Sequence, residues 1–143
     1  MAYTTQQHLE ERFGEKMLRD LTDRGTPPAG AVNAAVVARA LADTDAMIDG
    51  HLAGRYALPM VQVPPLVADI AIAIAIYKLH LQLPSDKIVR DYDQALRSLR
   101  DIAAGSVKLP VAGMEAAEKS TGPSIMTNDP YRPLRNGPMG GLI

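Results

Sequence analysis

The stretch from Leu66 to Leu83 is the feature that most constrains the fold of this chain. It approaches the length of a membrane span and is strongly apolar, but four polar or charged residues interrupt it: Asp69, Lys78, His80 and Gln82. A run of this kind is typical of a helix that is buried on most of its faces. The chain must therefore supply other helices that cover it.

Within this run, residues 70–76 alternate Ile and Ala, which taken alone is the period of a β-strand. The apolar character continues on both sides of the alternation, no turn signal precedes Pro84, and Ala favours helix. We therefore interpret the run as one buried helix, with Pro64 or Pro65 in its first turn.

Helices are also predicted on the N-terminal side of this run. Thr4 and Gln7 have the spacing of a capping box, so a first helix is expected from there to about Phe13, with Gly14 separating it from a second short helix. Residues 22–30 contain a Gly and Pro cluster that indicates an exposed loop. A long amphipathic helix follows and runs to about residue 52, with Asn33 as its N-cap.

One more helix is predicted after the buried run. Ser85 offers an N-cap, and Gly105 is expected to end the helix in the left-handed conformation. The predicted fold class is all-α, a small helical bundle of four to five helices with an extended C-terminal arm.

The composition changes after Pro110. Residues 113–143 hold five Gly and four Pro and show no sustained apolar period, although Met114 to Lys119 is compatible with a short helix. We expect a helical domain over residues 1–110 and an extended arm over residues 111–143, ordered by partner subunits. The arm carries aromatic, apolar and charged anchors of the kind enriched at protein interfaces: Tyr131, Arg132, Pro133, Leu134 and Arg135.

Charge and cysteine content narrow the function classes. The chain has 15 Lys and Arg against 16 Asp and Glu, so its net charge of −1 leaves no electrostatic footprint for wrapping nucleic acid. It has no cysteine, which removes disulfides and thiolate chemistry. The polar first seven residues lack a signal-peptide pattern, so the protein is expected to be made and used in the cytoplasm.

Residues that could carry chemistry do not form a motif. His8, His51 and His80 fall in three predicted helices without metal-site spacing. Asp43, Asp45 and Asp49 are spread over a helix and indicate a solvated or subunit-facing acidic surface. No phosphate-binding glycine loop and no nucleophile elbow is present. We therefore expect no catalytic, metal or cofactor site, and no enzyme activity.

The last predicted helix is rich in charge. Lys87, Arg90, Arg97 and Arg100 are interleaved with four aspartates. This interleaving favours a solvated face with salt bridges over a DNA-reading helix.

A motif in the middle of the chain resembles a known family. It begins Asp45-x-x-Ile48-Asp49-x-x-Leu52-x-x-Arg55-Tyr56-x-Leu58-Pro59 and continues with Val63-Pro64 and a helix ending in Tyr77-x-Leu79. A closing helix follows with Tyr92, Ala95, Leu99, Ile102 and Gly105. In this order, over residues 3–109, the chain resembles the Mu-like phage neck proteins related to Mu gp36.

The resemblance implies a structural role in the head-to-tail connector, or neck, of a tailed phage. It implies a homo-oligomeric ring of about twelve subunits docked beneath the portal protein, with the C-terminal arm engaging the portal. The ring extends a channel through which DNA passes without sequence-specific binding, and it contacts a downstream neck or tail-completion protein. The expected location is the virion neck after assembly in the host cytoplasm, with no membrane and no cofactor involved.

Two residue roles have competing interpretations. Tyr56 packs under the Leu58-Pro59 turn while Arg55 caps the last carbonyls of the long helix, or both contact a partner. The acidic residues of that helix line the channel or face solvent. The rival functions are a small helical DNA-binding or packaging accessory protein and a small enzyme of unrecognised type.

Overall fold

The computed structural model describes residues 2–110, which form five α-helices. They are α1 (Gln6–Phe13), α2 (Glu15–Thr22), α3 (Ala34–Leu52), α4 (Pro65–Leu79) and α5 (Asp86–Ala104). The all-α prediction is confirmed, and the Ile and Ala alternation lies in a helix. The predicted arm, residues 111–143, falls outside the described residues.

Helix α4 is the centre of the bundle because it contributes to two core clusters. Ile70 and Ile74 belong to a cluster with residues of α3 and α5, and Ile76 and Leu79 belong to a second with residues of α1, α2 and α3. A helix that is apolar all round is stable only when neighbours cover its faces. Burying one such side chain completely contributes about 1.5–3 kcal/mol.

The first helix begins one residue later than predicted. The N-cap is Thr5, not Thr4, and its hydroxyl accepts a hydrogen bond of 3.4 Å from the His8 backbone N–H. Thr4 is instead buried, because residues 3 and 4 pack onto the bundle. The predicted break at Gly14 is confirmed: its φ of 88° is open to glycine and strained for other residues.

The loop after α2 is held by hydrogen bonds within its own segment. The Asp23 carboxylate accepts the backbone N–H groups of Ala29 at 2.9 Å and Gly30 at 2.8 Å, which lowers the pKa of this carboxyl. Asn33 then caps α3 as predicted, accepting the N–H of Ala35 at 3.1 Å. Local hydrogen bonds to the side chains of Asp23 and Asn33 therefore hold this connection near both of its ends.

Helix α4 ends at Leu79, as the Tyr77-x-Leu79 end of the motif predicted, although the apolar run itself continues to Leu83. The Arg24 guanidinium donates to the Leu79 carbonyl at 3.1 Å, and His80 Nδ1 lies 2.8 Å from the Ile76 carbonyl oxygen. These two side chains satisfy carbonyls that the next helical turn would otherwise occupy. Leu81 and Leu83 consequently lie in a loop.

Helix α5 follows the prediction at both ends. Ser85 occupies the N-cap position, although its side chain makes no capping hydrogen bond. Gly105 ends the helix in the left-handed conformation, with φ 85° and ψ 6°. The Lys87 ammonium pairs with the Asp91 carboxylate at 2.7 Å, in agreement with a solvated face that carries salt bridges.

Helices α3, α4 and α5 run antiparallel in succession, so the bundle has two ends. At the exit pole, α3 and α5 end, α4 begins, and the described chain stops at Pro110. At the turn pole, residues 80–85 connect α4 to α5. Within residues 2–110, no helix combines the length and the hydropathy of a membrane span.

Candidate functional site

The family-motif carboxylates on α3 hold the N-terminal segment. The backbone N–H of Tyr3 donates to the Asp45 carboxylate at 3.1 Å, and the Tyr3 hydroxyl donates to the Asp49 carboxylate. We call this arrangement the N-terminal clamp. Burial raises the pKa of the Asp45 carboxyl, against the Tyr3 N–H bond, which lowers it. Asp45 and Asp49 are therefore half-buried and bound to Tyr3 of the same chain, whereas Asp43 is exposed, and a subunit-facing role of this surface stays a prediction.

Replacing Tyr3 with Phe is expected to make stability less sensitive to alkaline pH. Burial, and then the bond to the Asp49 carboxylate, raise the pKa of the Tyr3 hydroxyl well above its ordinary value of 10.0. The folded chain thus keeps a proton that the unfolded chain releases, so this stabilisation is complete below pH 10.0 and is lost as the pH rises above it. In urea unfolding above pH 10.0, the wild type should lose up to about 1.4 kcal/mol of unfolding free energy per pH unit through this hydroxyl, and the Tyr3→Phe variant should lack this loss.

The matched control for this experiment is Tyr92→Phe. It removes the hydroxyl of a tyrosine that stacks on Tyr77 and should retain the wild-type loss of stability above the ordinary tyrosine pKa. An equally steep loss in Tyr3→Phe and in the wild type would contradict the clamp.

The apolar members of the motif on α3 face the core. Ile48 and Leu52 are fully buried in the cluster shared with α4 and α5, and Tyr56 is almost fully buried in it. The Tyr56 hydroxyl accepts the backbone N–H of Leu109 at 3.1 Å. Tyr56 therefore fastens the segment after α5 to the end of α3, more than fifty residues earlier in the chain.

Arg55 lies directly after α3, and its side chain reaches the end of α5. Its guanidinium lies against Gly105 at the end of α5: a Cβ built on Gly105 would lie 2.6 Å from Arg55 Cζ and 2.8 Å from Nη2. The guanidinium is thus in the favourable electrostatic position at the C-terminus of α5. The Arg55 backbone N–H donates to the Leu52 carbonyl at 2.9 Å, so Arg55 stands where α3 and α5 end together.

The motif residues between α3 and α4 shape the loop that joins these helices, which we call the α3–α4 loop. Leu58 and Val63 are half-buried and pack against the same core cluster. Pro59 is exposed after a cis peptide bond, and buried Pro64 is the N-cap of α4, with Pro65 as its first residue. The α3–α4 loop therefore positions the start of α4. A proline is tolerated there because the first residue of a helix has no intrahelical partner for its N–H.

The two remaining motif residues join α4 to α5. The rings of Tyr77 and Tyr92 are stacked, with centroids 3.9 Å apart and an interplanar angle of 8°. Such a pair contributes about 0.5–1.5 kcal/mol beyond its buried area. Together, the motif residues build the bundle and do not form a pocket with reactive groups.

The histidines are engaged by neighbouring groups on their own segments. His51 Nδ1 lies 2.9 Å from the Met47 carbonyl oxygen, and His8 Nδ1 lies 3.3 Å from the Thr4 hydroxyl. Across residues 2–110, no three His, Asp or Glu side chains are grouped as a metal ion would require.

The surface exposes large apolar side chains at both poles. Val61, in the α3–α4 loop at the exit pole, is 94% exposed. Leu81 and Leu83, in the loop at the turn pole, are 72% and 92% exposed. The interpretation of the apolar run as one buried helix included these two leucines, so their exposure was missed. The available signal was the position of Leu83 directly before Pro84, since a residue before proline disfavours helix.

A recess of about 510 Å³ lies beside α3 and the end of α4. Three cationic side chains line it, Arg24, Arg39 and Lys78, together with Asp43. With three cations against one carboxylate, this recess is a basic surface of the kind that a DNA-binding role would use.

The predicted arm anchors, Tyr131, Arg132, Pro133, Leu134 and Arg135, lie outside the described residues, so their role stays a prediction.

Comparison with known proteins agrees with the resemblance carried by the motif. The family model described as Bacteriophage Mu, Gp36 matches residues 3–127. The Mu-like prophage FluMu protein gp36 of Haemophilus influenzae is 29% identical over 124 residues, which cover 87% of this chain and 86% of that protein. Gene product J of Escherichia phage Mu is 32% identical over 117 residues, 82% of each chain. The chain is therefore a phage protein that belongs to the bacteriophage Mu Gp36 family.

Proposed function

We propose that this protein is a structural subunit of the phage head-to-tail connector, forming a ring that docks beneath the portal protein and extends the DNA channel. The observation that carries the proposal is the bipolar surface, with Val61 exposed at one pole and Leu81 and Leu83 at the other. Exposed apolar side chains mark sites of protein contact when they are grouped, as Leu81 and Leu83 are, and Val61 adds one such side chain at the other pole. A neck subunit needs such contacts at both ends, one toward the portal and one toward a downstream neck or tail-completion protein.

Family membership supports this role. It is also supported by the motif, whose residues stabilise the packing of the bundle. Its carboxylates hold Tyr3, its apolar residues fill the core, and Arg55 lies at the end of α5. A subunit of this kind works through geometry and avidity rather than through chemistry. In a ring, even weak contacts of one arm or loop are repeated by every copy.

The test is the mass of the full chain, alone and mixed with the portal ring of the same phage, by mass photometry. We expect a large complex with the portal. Tyr131→Ala combined with Leu134→Ala should weaken it at least about 100-fold, because each loss is repeated around the ring. Leu142→Ala, an apolar truncation outside the anchor region, is the matched control. A persistent monomer that ignores the portal would overturn the proposal.

The second candidate is a small DNA-binding or packaging accessory protein, and the basic recess at Arg24, Arg39 and Lys78 is the observation that favours it. Binding through these cations would weaken steeply with salt, because each phosphate contact releases counterions. The test is a gel shift of DNA by the protein. A shift that salt abolishes and that Arg39→Gln reduces, in a protein that forms no complex with the portal, would favour this candidate over the head-to-tail connector.

A further inference from the structure

Helix α4 leaves part of its apolar surface uncovered along a groove beside α5. The groove has a volume of about 270 Å³, and Phe13 of α1 closes it on one side. Leu66 at its near end is 40% exposed, and Ile72 and Ala73 further along are half-buried. The groove has an apolar floor from α4 and a polar rim that includes Asp69 and Asp91, so it offers a binding surface for a segment with apolar side chains.

The described chain stops at the mouth of this groove. Pro110 lines a small cavity together with Pro64 and Pro65 at the start of α4. Leu66, the next residue of α4, is the first groove residue. Pro110, the last described residue, therefore lies beside the near end of the groove.

The sequence that follows has the composition and length to occupy it. Val111, Met114, Ala116 and Ala117 are apolar, and the family match continues beyond Pro110 to residue 127. The groove runs along α4 from Leu66 to Ile76, a rise of about 15 Å. Residues 111–119 span about 13 Å even at the short rise of a helix.

We propose that residues 111–119 of the same chain bind in the groove between α4 and α5. This contact covers the open strip of α4 and carries the chain from the exit pole to the turn pole. The anchors at residues 131–135 then emerge on the side of Leu81 and Leu83, so the two candidate partner contacts lie at the same end of the subunit. The inference does not depend on the connector role, because it concerns the isolated chain.

The test uses paired cysteines, which report cleanly because the natural chain has none. Ala73→Cys in the groove is combined, one at a time, with a cysteine at residue 112, 114, 116 or 117 in the full chain. After mild oxidation at low protein concentration, we expect at least one pair to form an intramolecular disulfide, detected by intact mass and gel mobility. Only close Cβ atoms permit this bond.

Ala42→Cys on the exposed face of α3 is the matched control, because it adds the same residue outside the groove. We expect the best Ala73 pair to oxidise at least about tenfold faster than any Ala42 pair. Equal rates would overturn the proposal. Disulfides only between chains would also overturn it and would point to a second copy as the occupant.

A second measurement needs no cysteine. A carboxylate in the groove should displace an apolar segment, so Ala73→Glu is expected to speed tryptic cleavage after Lys119 by about tenfold while circular dichroism still reports a folded chain. Ala42→Glu should leave that cleavage at the wild-type rate. The same rate in all three proteins would count against the proposal.

Discussion

Leu52→Ala is expected to lower the free energy of unfolding by about 2–5 kcal/mol. Leu52 is the last residue of α3, fully buried in the cluster where α3, α4 and α5 meet at the exit pole. Truncation to Ala removes three carbon atoms from this core and leaves a cavity that helices fastened by Tyr56 and Leu109 cannot easily collapse. Urea unfolding followed by circular dichroism measures the loss.

The same substitution at an exposed leucine is the control. Leu83→Ala, at a residue that is 92% exposed, should change the unfolding free energy by less than about 0.5 kcal/mol. If the connector proposal holds, Leu83→Ala should nevertheless weaken assembly. A loss of stability in Leu83→Ala as large as in Leu52→Ala would show that this leucine is covered in the isolated chain.

Gly105→Ala is expected to lower the free energy of unfolding by about 1–3 kcal/mol, mostly through the backbone conformation. The left-handed conformation of residue 105 costs a residue with a Cβ about 1–2 kcal/mol. The new Cβ would also collide with the guanidinium of Arg55 and push it away from the end of α5. Thermal or urea unfolding measures the sum of the two effects.

Two further variants separate these effects. Gly50→Ala, inside α3 and with open space around its Cβ position, should instead raise stability by about 0.5–1 kcal/mol, because Ala is the better helix former. In the double variant with Arg55→Ala the collision is absent, so the combined loss should be smaller than the sum of the single losses. Strict additivity would mean that Arg55 and Gly105 do not touch in solution.

Local patterns predicted most of the helices and several of their ends. Asn33 and Gly105 were predicted as caps from residue type and position, and both predictions are confirmed, as is the break at Gly14. Such signals are readable because a cap depends on groups only a few residues apart. The cap of α1 was misplaced by one residue because two threonines stand side by side, and only the packing of residues 3 and 4 distinguishes them.

The apolar run does not explain why α4 ends at Leu79, the end that the motif indicated. The helix stops at Leu79, where the Arg24 guanidinium from another segment takes the last carbonyl. Arg24 lies 55 residues earlier in the chain, and no local pattern connects the two. The exposed loop leucines 81 and 83, which carry the proposed contact at the turn pole, follow from this early end.

By itself, the sequence determined the all-α class, the order of the helices and the family, because helical periodicity, capping and a spaced motif are properties of neighbouring residues. Only the tertiary structure decided what the motif residues do. Asp49 binds the Tyr3 hydroxyl across 46 positions, and the Arg55 guanidinium lies against Gly105 at the end of α5. The physical reason is that a side chain's partners depend on which helix ends meet in space, and that is decided when α4 buries its apolar faces against its neighbours.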